Sequence, residues 1–303
     1  MSEYEKMTAV RKIQIFIDEN YQNSDFSAET VYEKFAYSQR HLNRLFKEFT
    51  GKTVSEYISA MKITNSAEGI KNNSVLNTAV DSGYDTCEGY TKAFKKQFGV
   101  TPNDYKKFKP MIPLFVNYPV NHQFDYYRKG ENKMNTDNKN SIIVCNTYIV
   151  SRPARKLILF RSQKAEDYWS FCQEKGCEWF GYLNSNEEKF DTPAILTLPE
   201  SLVEKNTGKI AAGIEVPESY ETDLLSDGYE IINLPPTELL YIQSQPFENE
   251  DDFCRYIDAV NEAYNNLNIK ALGYEIDTEN AASMNFGAEP DTGAKIAFPV
   301  KRI

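Results

Sequence analysis

The sequence predicts an α + β chain of two domains: an all-α pair of helix-turn-helix units, then a duplicated β-α-β-β domain built on an antiparallel sheet. Three observations carry this. Apolar residues recur at helical spacing through the first hundred positions. A two-helix pattern in that stretch returns after about 50 residues, as an internal duplication does. Beyond residue 140 the pattern changes to short apolar runs separated by turns, and these repeat at an offset of 82. A chain of 303 residues, 41% hydrophobic, is long and apolar enough for two cores.

Val10, Ile13, Phe16 and Ile17 place a first helix over 6–20. Ser27 is an N-cap for a short helix ending near Phe35, and Ser38 caps QRHLNRLFKEFT, which Gly51 ends. That helix turns Leu42, Leu45, Phe46 and Phe49 inward and Gln39, Arg40, Asn43, Arg44 and Lys47 outward. A long helix follows from Val54 to about Lys71. Val75, Ala79 and Val80 then line a short helix, Gly83 makes the turn, and Thr86 starts another helix. Tyr90, Ala93, Phe94 and Phe98 face inward there, and Lys92, Lys95 and Lys96 outward. RLFKEFTGKTVSEYI and KAFKKQFGVTPNDYK share a basic residue, Phe-Lys, Gly and Tyr. Two short helices with Arg and Asn outward on the second suit the major groove.

These residues resemble the AraC/XylS family. The likeness is carried by Gly83-Tyr84, by Phe94 through Pro102 and by Tyr105, spread over residues 83–105; the first unit agrees more loosely. The resemblance implies two helix-turn-helix units, joined by a linker helix, on successive segments of double-stranded promoter DNA. It puts groove-facing residues at Arg40, Asn43 and Arg44 in the first unit, and at Cys87, Glu88, Thr91 and Lys92 in the second. Arg40 or Arg44 can take guanine and Asn43 adenine. Glu88 can accept from cytosine or be repelled by phosphate. Base specificity is therefore expected mainly from the first unit, with Thr91, Lys92 and Lys95 docking on phosphate.

Net charge −10 argues against nucleic acid only on average. Residues 1–109 hold 16 Lys and Arg against 14 Asp and Glu, a balance of +2; residues 110–303 hold 18 against 30, a balance of −12. Five scattered Cys and two His, His41 and His122, argue against a metal site, and no cofactor is expected. His41 reads as a packing residue. The sequence shows no signal core and no apolar run of membrane length, so the chain is expected in the bacterial cytoplasm, off the membrane.

The domains are expected at 1–109 and 141–303, with a linker over 110–140 that is polar from Arg128 to Asn140. The aromatic stretch ahead of it, from Phe115 to Tyr127, can pack back on the first domain. In the second domain IVCNTYIV, KLILFRSQ, AILTL and KIAAGIEV read as strands, and AEDYWSFCQEK and NEDDFCRYIDAVNEAYNNL as helices. Leu157, Ser162, Gln163 and Phe171-Cys172 coincide with Leu239, Ser244, Gln245 and Phe253-Cys254. Gly181-Tyr182 echoes Gly273-Tyr274, and Lys209-Ile210-Ala211 echoes Lys295-Ile296-Ala297.

This half resembles the GyrI-like effector-binding domain of multidrug-sensing regulators, through GYEIINLP at 228–235, SQPFE at 244–248, GYE at 273–275 and IAFPVK at 296–301. The resemblance implies a pocket for a small, cationic, aromatic effector, with Glu275 at its floor. The repeat points the same way, because Glu275 stands where the first half has Leu183. Trp169, Trp179, Tyr182, Tyr241 and Phe286 are the wall candidates in a chain rich in Tyr and Phe. RNA polymerase is a further expected partner, and either a monomer or a homodimer fits two reading helices in one chain. Two other readings stay open: a C-terminal protein-interaction module, and a hydrolase using Glu275 as base. The second lacks any Ser-His-Asp or Cys-His set.

Overall fold

The computed structural model describes residues 2–23, 25–122, 142–222 and 225–303. They fall into two compact units, one within 1–131 and one within 132–303. The polar segment from Arg128 to Asn140 lies outside the described residues.

Among the described residues the first unit holds seven helices: α1 (Glu3–Asn20), α2 (Ala28–Lys34), α3 (Gln39–Thr50), α4 (Val54–Asn72), α5 (Val75–Asp81), α6 (Cys87–Phe98) and α7 (Pro102–Phe108). Their starts follow from capping chemistry. Ser38, Thr53, Ser74, Thr86 and Thr101 each accept a backbone N–H from three residues on. Glu56 returns the bond to Thr53 at 2.9 Å, closing a capping box. Gly51 and Gly99 end α3 and α6 at φ 72° and 78°, a left-handed turn that a side chain would oppose.

The duplication is structural. From Gln39 to Tyr57 and from Cys87 to Tyr105, the caps and the lengths of α3 and α6 coincide at a spacing of 48, and so do the buried pairs Leu42 and Tyr90, Phe46 and Phe94, and Tyr57 and Tyr105. Each copy has its own core. Val10, Ile13, Ile17, Val31, Leu42 and Phe46 fill the first, and Ala79, Tyr90, Phe94, Phe98 and Tyr105 the second. Helix α4 belongs to both: Val54, Tyr57 and Ile58 enter the first core, Ile63, Ala67 and Ile70 the second. One expectation fails here. Val80, read as an inward residue of α5, is 64% exposed, because α5 is two turns long and buries only Thr78 and Ala79 fully.

Residues 111–122, expected to open the linker, stay with the helical unit. Met111 and Ile112 are buried, Phe115 packs edge-on against Tyr57 at 4.9 Å, and its N–H reaches Thr64 Oγ1 at 2.8 Å. The buried Gln14 amide ties the same strip down by donating to the Tyr118 carbonyl at 3.0 Å.

The second unit is a nine-stranded antiparallel sheet. Its strands are β1 (Cys145–Arg152), β2 (Arg155–Arg161), β3 (Ala194–Thr197), β4 (Ile210–Pro217), β5 (Tyr229–Leu234), β6 (Thr237–Ser244), β7 (Tyr274–Ile276), β8 (Ser283–Glu289) and β9 (Gly293–Arg302). The order is β1-β6-β9-β8-β3-β4-β2-β5, with β7 also on β9. The order is symmetric about the β3–β8 seam once β1, β2, β3, β4 are matched to β5, β6, β8, β9. Each half's first strand lies on the other half's second strand: β1 on β6, β5 on β2. Each repeat therefore opens with two strands before its helix, one more than the β-α-β-β pattern holds, and in the first repeat they are the runs IVCNTYIV and KLILFRSQ. Ala211 pairs Leu196 and Ala297 pairs Met284, so Lys209-Ile210-Ala211 and Lys295-Ile296-Ala297 are true equivalents.

Helices α8 (Tyr168–Lys175), α9 (Trp179–Asn184) and α10 (Phe253–Asn266) cover one face of the sheet, the face of Phe160, Ala212, Ile242 and Ile296. Leu157, Leu159, Leu196, Leu239, Tyr241 and Met284 point to the other and pack there into a second apolar layer. Helix α9 breaks one proposed repeat match. Tyr182-Leu183 lie on a helix and Tyr274-Glu275 on a strand, so Leu183 is not the counterpart of Glu275.

Candidate nucleic-acid interface and binding recess

On the helical unit the outward faces of α3 and α6 are the candidate interface. Gln39, Arg40, Arg44 and Lys47 are exposed on α3, with an Arg44 guanidinium nitrogen 3.4 Å from His41 Nδ1. Asn43 is not available to a base. Its amide donates to the Tyr32 hydroxyl at 2.9 Å and its carbonyl accepts the Val54 N–H at 3.1 Å, so both groups an adenine needs are spent on joining α2, α3 and α4. The adenine assignment is withdrawn for that reason. On α6, Glu88 and Lys92 form an exposed ion pair at 2.7 Å. The Thr91 hydroxyl donates to the Cys87 carbonyl at 2.8 Å, and Lys95 stands exposed.

In the sheet unit, Glu275 does not lie at a pocket floor. It is exposed on the three-residue strand β7 and pairs with Lys301 on β9 at 3.3 Å. A carboxylate buried in the sheet is Glu215, 5% exposed on β4. Its oxygens meet the Arg155 guanidinium at 2.6 Å and Arg152 Nε at 3.4 Å. Arg152 lies over Phe190 at 5.0 Å and donates to the Tyr241 hydroxyl at 2.8 Å. Tyr241 stacks between Tyr148 at 5.3 Å and Phe286 at 6.1 Å, and Lys295 sits over Phe286 while bound to Asp191. Burial pushes the Tyr241 phenol above its usual range, against the pull of Arg152. This aromatic and acidic site is filled by the chain's own cations. Sequence reading missed Glu215, although an acid inside the apolar run IAAGIEV was the available signal.

The opposite face carries an open recess of about 340 Å³. Phe160 and Tyr229, directly paired across β2 and β5, stack at 4.8 Å, and Tyr182 leans on Tyr229 at 5.8 Å. Trp179, Lys175 and Glu178 come from the α8–α9 segment, and Ser226 and Asp227 close the rim. The Lys175 ammonium lies 5.1 Å over the Phe160 ring. Burial, then the neighbouring Tyr182 and Glu178, raise the Tyr229 phenol well above its usual range, so it stays a neutral donor. Two of the expected wall residues, Trp179 and Tyr182, meet here. Tyr241 and Phe286 lie on the other face, and Trp169 packs edge-on against Tyr168 at 4.7 Å.

Comparison with known proteins places the helical unit. A helix-turn-helix domain family matches residues 31–107. The chain is 32% identical to the multiple antibiotic resistance protein MarA of Escherichia coli K12 over 115 residues, which are 37% of this chain and 90% of MarA. It is 33% identical to the transcriptional regulator Rob of Salmonella typhimurium over 113 residues, 37% of this chain and 39% of Rob. Among solved structures, the EcmrR C-terminal domain overlaps 53% of this chain and 99% of its own length, at 12% identity and a TM-score of 0.31.

Proposed function

The chain belongs to the AraC family of DNA-binding transcription regulators, and we propose that a small cationic, aromatic effector held in the C-terminal recess governs it. One observation carries the proposal: the aromatic recess already accommodates a cation, the Lys175 ammonium, which lies over Phe160 and pairs with Glu174 at 3.5 Å, and Glu178 and Asp227 also line the recess. Aromatic faces attract cations, more so when partly shielded from water. With two carboxylates against one ammonium at its rim, the recess favours a cation that also presents flat rings. The Glu215 site is a poorer candidate, because an effector would have to displace two guanidinium groups from one buried carboxylate.

On the DNA side, α3 supplies the base contacts through Arg40 and Arg44, flanked by Gln39 and Lys47. Helix α6 docks on phosphate through Lys92 and Lys95, with Thr91 alongside. Effector binding biases this engagement only as far as the effector's affinity differs between the states that bind promoter and those that do not.

Thermal unfolding of the full chain tests the effector reading. A quaternary arylphosphonium cation is compared with the neutral phosphine oxide carrying the same aryl groups. The cation raises Tm, because a ligand bound only to the folded state stabilises by about 2.7 kcal/mol at a hundredfold excess over Kd. The rise disappears in Tyr229→Ala and falls in the double variant Glu178→Gln, Asp227→Asn. An equal rise with the neutral compound, or one kept in those variants, overturns the proposal.

A further inference from the structure

Two of the five cysteines form a pair that the regulator reading leaves unused. Cys172 lies in the last turn of α8, which ends at Lys175. Gly176, at φ 80°, donates its N–H to the Cys172 carbonyl at 2.9 Å, and this tight turn sets Cys177, the next residue, beside Cys172, close enough for each thiol to act on the other. Cys172 is half-buried and Cys177 exposed, so one sulfur is sheltered and its partner is open to solvent.

The surroundings of Cys172 are built for a negative sulfur. The Tyr168 hydroxyl and the Trp179 indole N–H also bear on it. Trp179 is 4% exposed, and its indole N–H has no oxygen acceptor among the described residues. A buried donor without a full acceptor is unfavourable, and a thiolate at Cys172 supplies that acceptor. These donors, the Cys177 thiol first, hold the Cys172 thiol down to about 7 against the opposing effect of burial. Cys177 moves the other way, since its proton is held by Cys172 and a second thiolate beside the first is repelled. The two sulfurs thus have complementary roles, one ionised and nucleophilic, one protonated and accessible. Cys145, on β1, shows the contrast, its thiol pushed up by burial alone.

We propose that Cys172 and Cys177 are a hydroperoxide-reactive dithiol that closes to an intramolecular disulfide. The Cys172 thiolate attacks the terminal oxygen of a hydroperoxide. The S–O bond forms as the O–O bond breaks, leaving Cys172 as a sulfenic acid, and the departing alkoxide or hydroxide takes a proton from solvent. The Cys177 sulfur then attacks the Cys172 sulfur. The S–S bond forms, the S–O bond breaks, and the hydroxyl leaves as water with the Cys177 proton. Two electrons pass from the thiol pair to the peroxide, and a low-molecular-weight thiol reverses the step by exchange.

The site is wired to the recess by position. Lys175, Glu178 and Trp179, which line it, lie between or just beyond the two cysteines. Closing the disulfide removes the thiolate facing the Trp179 N–H and tightens the turn that carries Lys175 and Glu178. The chemistry itself stands whether or not the recess holds a cation.

The test uses the reduced full chain, hydrogen peroxide, rapid quenching with catalase and iodoacetamide, and peptide mapping without reductant. A Cys172–Cys177 disulfide is expected to form about tenfold faster at pH 7 than oxidation of Cys145, because about half of Cys172 is thiolate where an ordinary thiol is a few per cent ionised. Its rate rises as pH passes about 7. In Cys177→Ser the Cys172 sulfenic acid persists and is trapped by dimedone; in Cys172→Ser neither the disulfide nor a dimedone adduct at Cys177 appears. Iodoacetamide labelling of the unaltered chain across pH reads Cys172 without any substitution. Oxidation of Cys172 no faster than of Cys145, or a disulfide joining either cysteine to another residue, overturns the proposal.

Discussion

Helices α3 and α6 have the same length, the same hydroxyl N-cap and the same glycine exit, yet they offer a double helix different chemistry. Arg40, Arg44 and Lys47 stand exposed on α3. On α6 the equivalent face carries Glu88, whose carboxylate already holds Lys92 at 2.7 Å. The inner faces match, with Leu42, Leu45 and Phe46 answered by Tyr90, Ala93 and Phe94. Packing constrains the inner face to apolar residues at fixed spacing, whereas the outer face is free to change. A duplicated scaffold can therefore divide its work, one copy reading bases and the other gripping the backbone.

The comparison can be broken from the inside first. Phe46→Ala and Phe94→Ala remove fully buried rings from equivalent positions, and each should cost about 3–5 kcal/mol in denaturant unfolding. Because the two cores are separate sets of residues, each variant should loosen its own copy; hydrogen exchange that collapses equally in both copies would contradict this. A smaller effect is expected at Asn43. Asn43→Ala leaves the Tyr32 hydroxyl and the Val54 N–H without their partner and should destabilise by about 1 kcal/mol, with base preference unchanged. A changed preference would return Asn43 to the reading surface. The smallest effect sharpens the contrast on α6. An exposed pair such as Glu88–Lys92 contributes about 0.3–0.5 kcal/mol at most, so Glu88→Gln should leave stability nearly untouched. It should nonetheless free Lys92 for phosphate and steepen the salt dependence of DNA binding by about one counterion, which a titration over ionic strength measures.

The helical unit was legible because its cues are local. N-caps, terminal glycines and 3.6-residue spacing lie within a dozen positions of one another, and they located α1 to α6 to within a few residues, save for the outward Val80 on the short α5; the two-turn α7 was not read from the sequence. The sheet unit was legible in its strands, and less so in its pairing. Nothing in the sequence of β1 says that it lies on β6 rather than β2, because that choice is made by contacts some ninety residues apart. The same distance defeated the site. Glu275 was singled out through a match between 182–183 and 274–275 that a short helix, α9, breaks. Glu215 is an acid in an apolar strand, and its meaning depends on Arg152 and Arg155, which reach it only once β2 has paired with β4. The recess is likewise assembled from three separate stretches of chain.

The division of labour between the two reading helices is tested most directly by selecting binding sites from a random DNA pool. The full chain is compared with two double variants, Arg40→Ala with Arg44→Ala on α3, and Lys92→Ala with Lys95→Ala on α6. The α3 variant should lose one block of the selected sequence, at about 1–3 kcal/mol for each guanine contact removed. The α6 variant should select the same sequence as the unaltered chain, bind it more weakly, and show a shallower salt dependence by about one counterion per lysine. An intact consensus from the α3 variant, or an altered one from the α6 variant, would contradict the account.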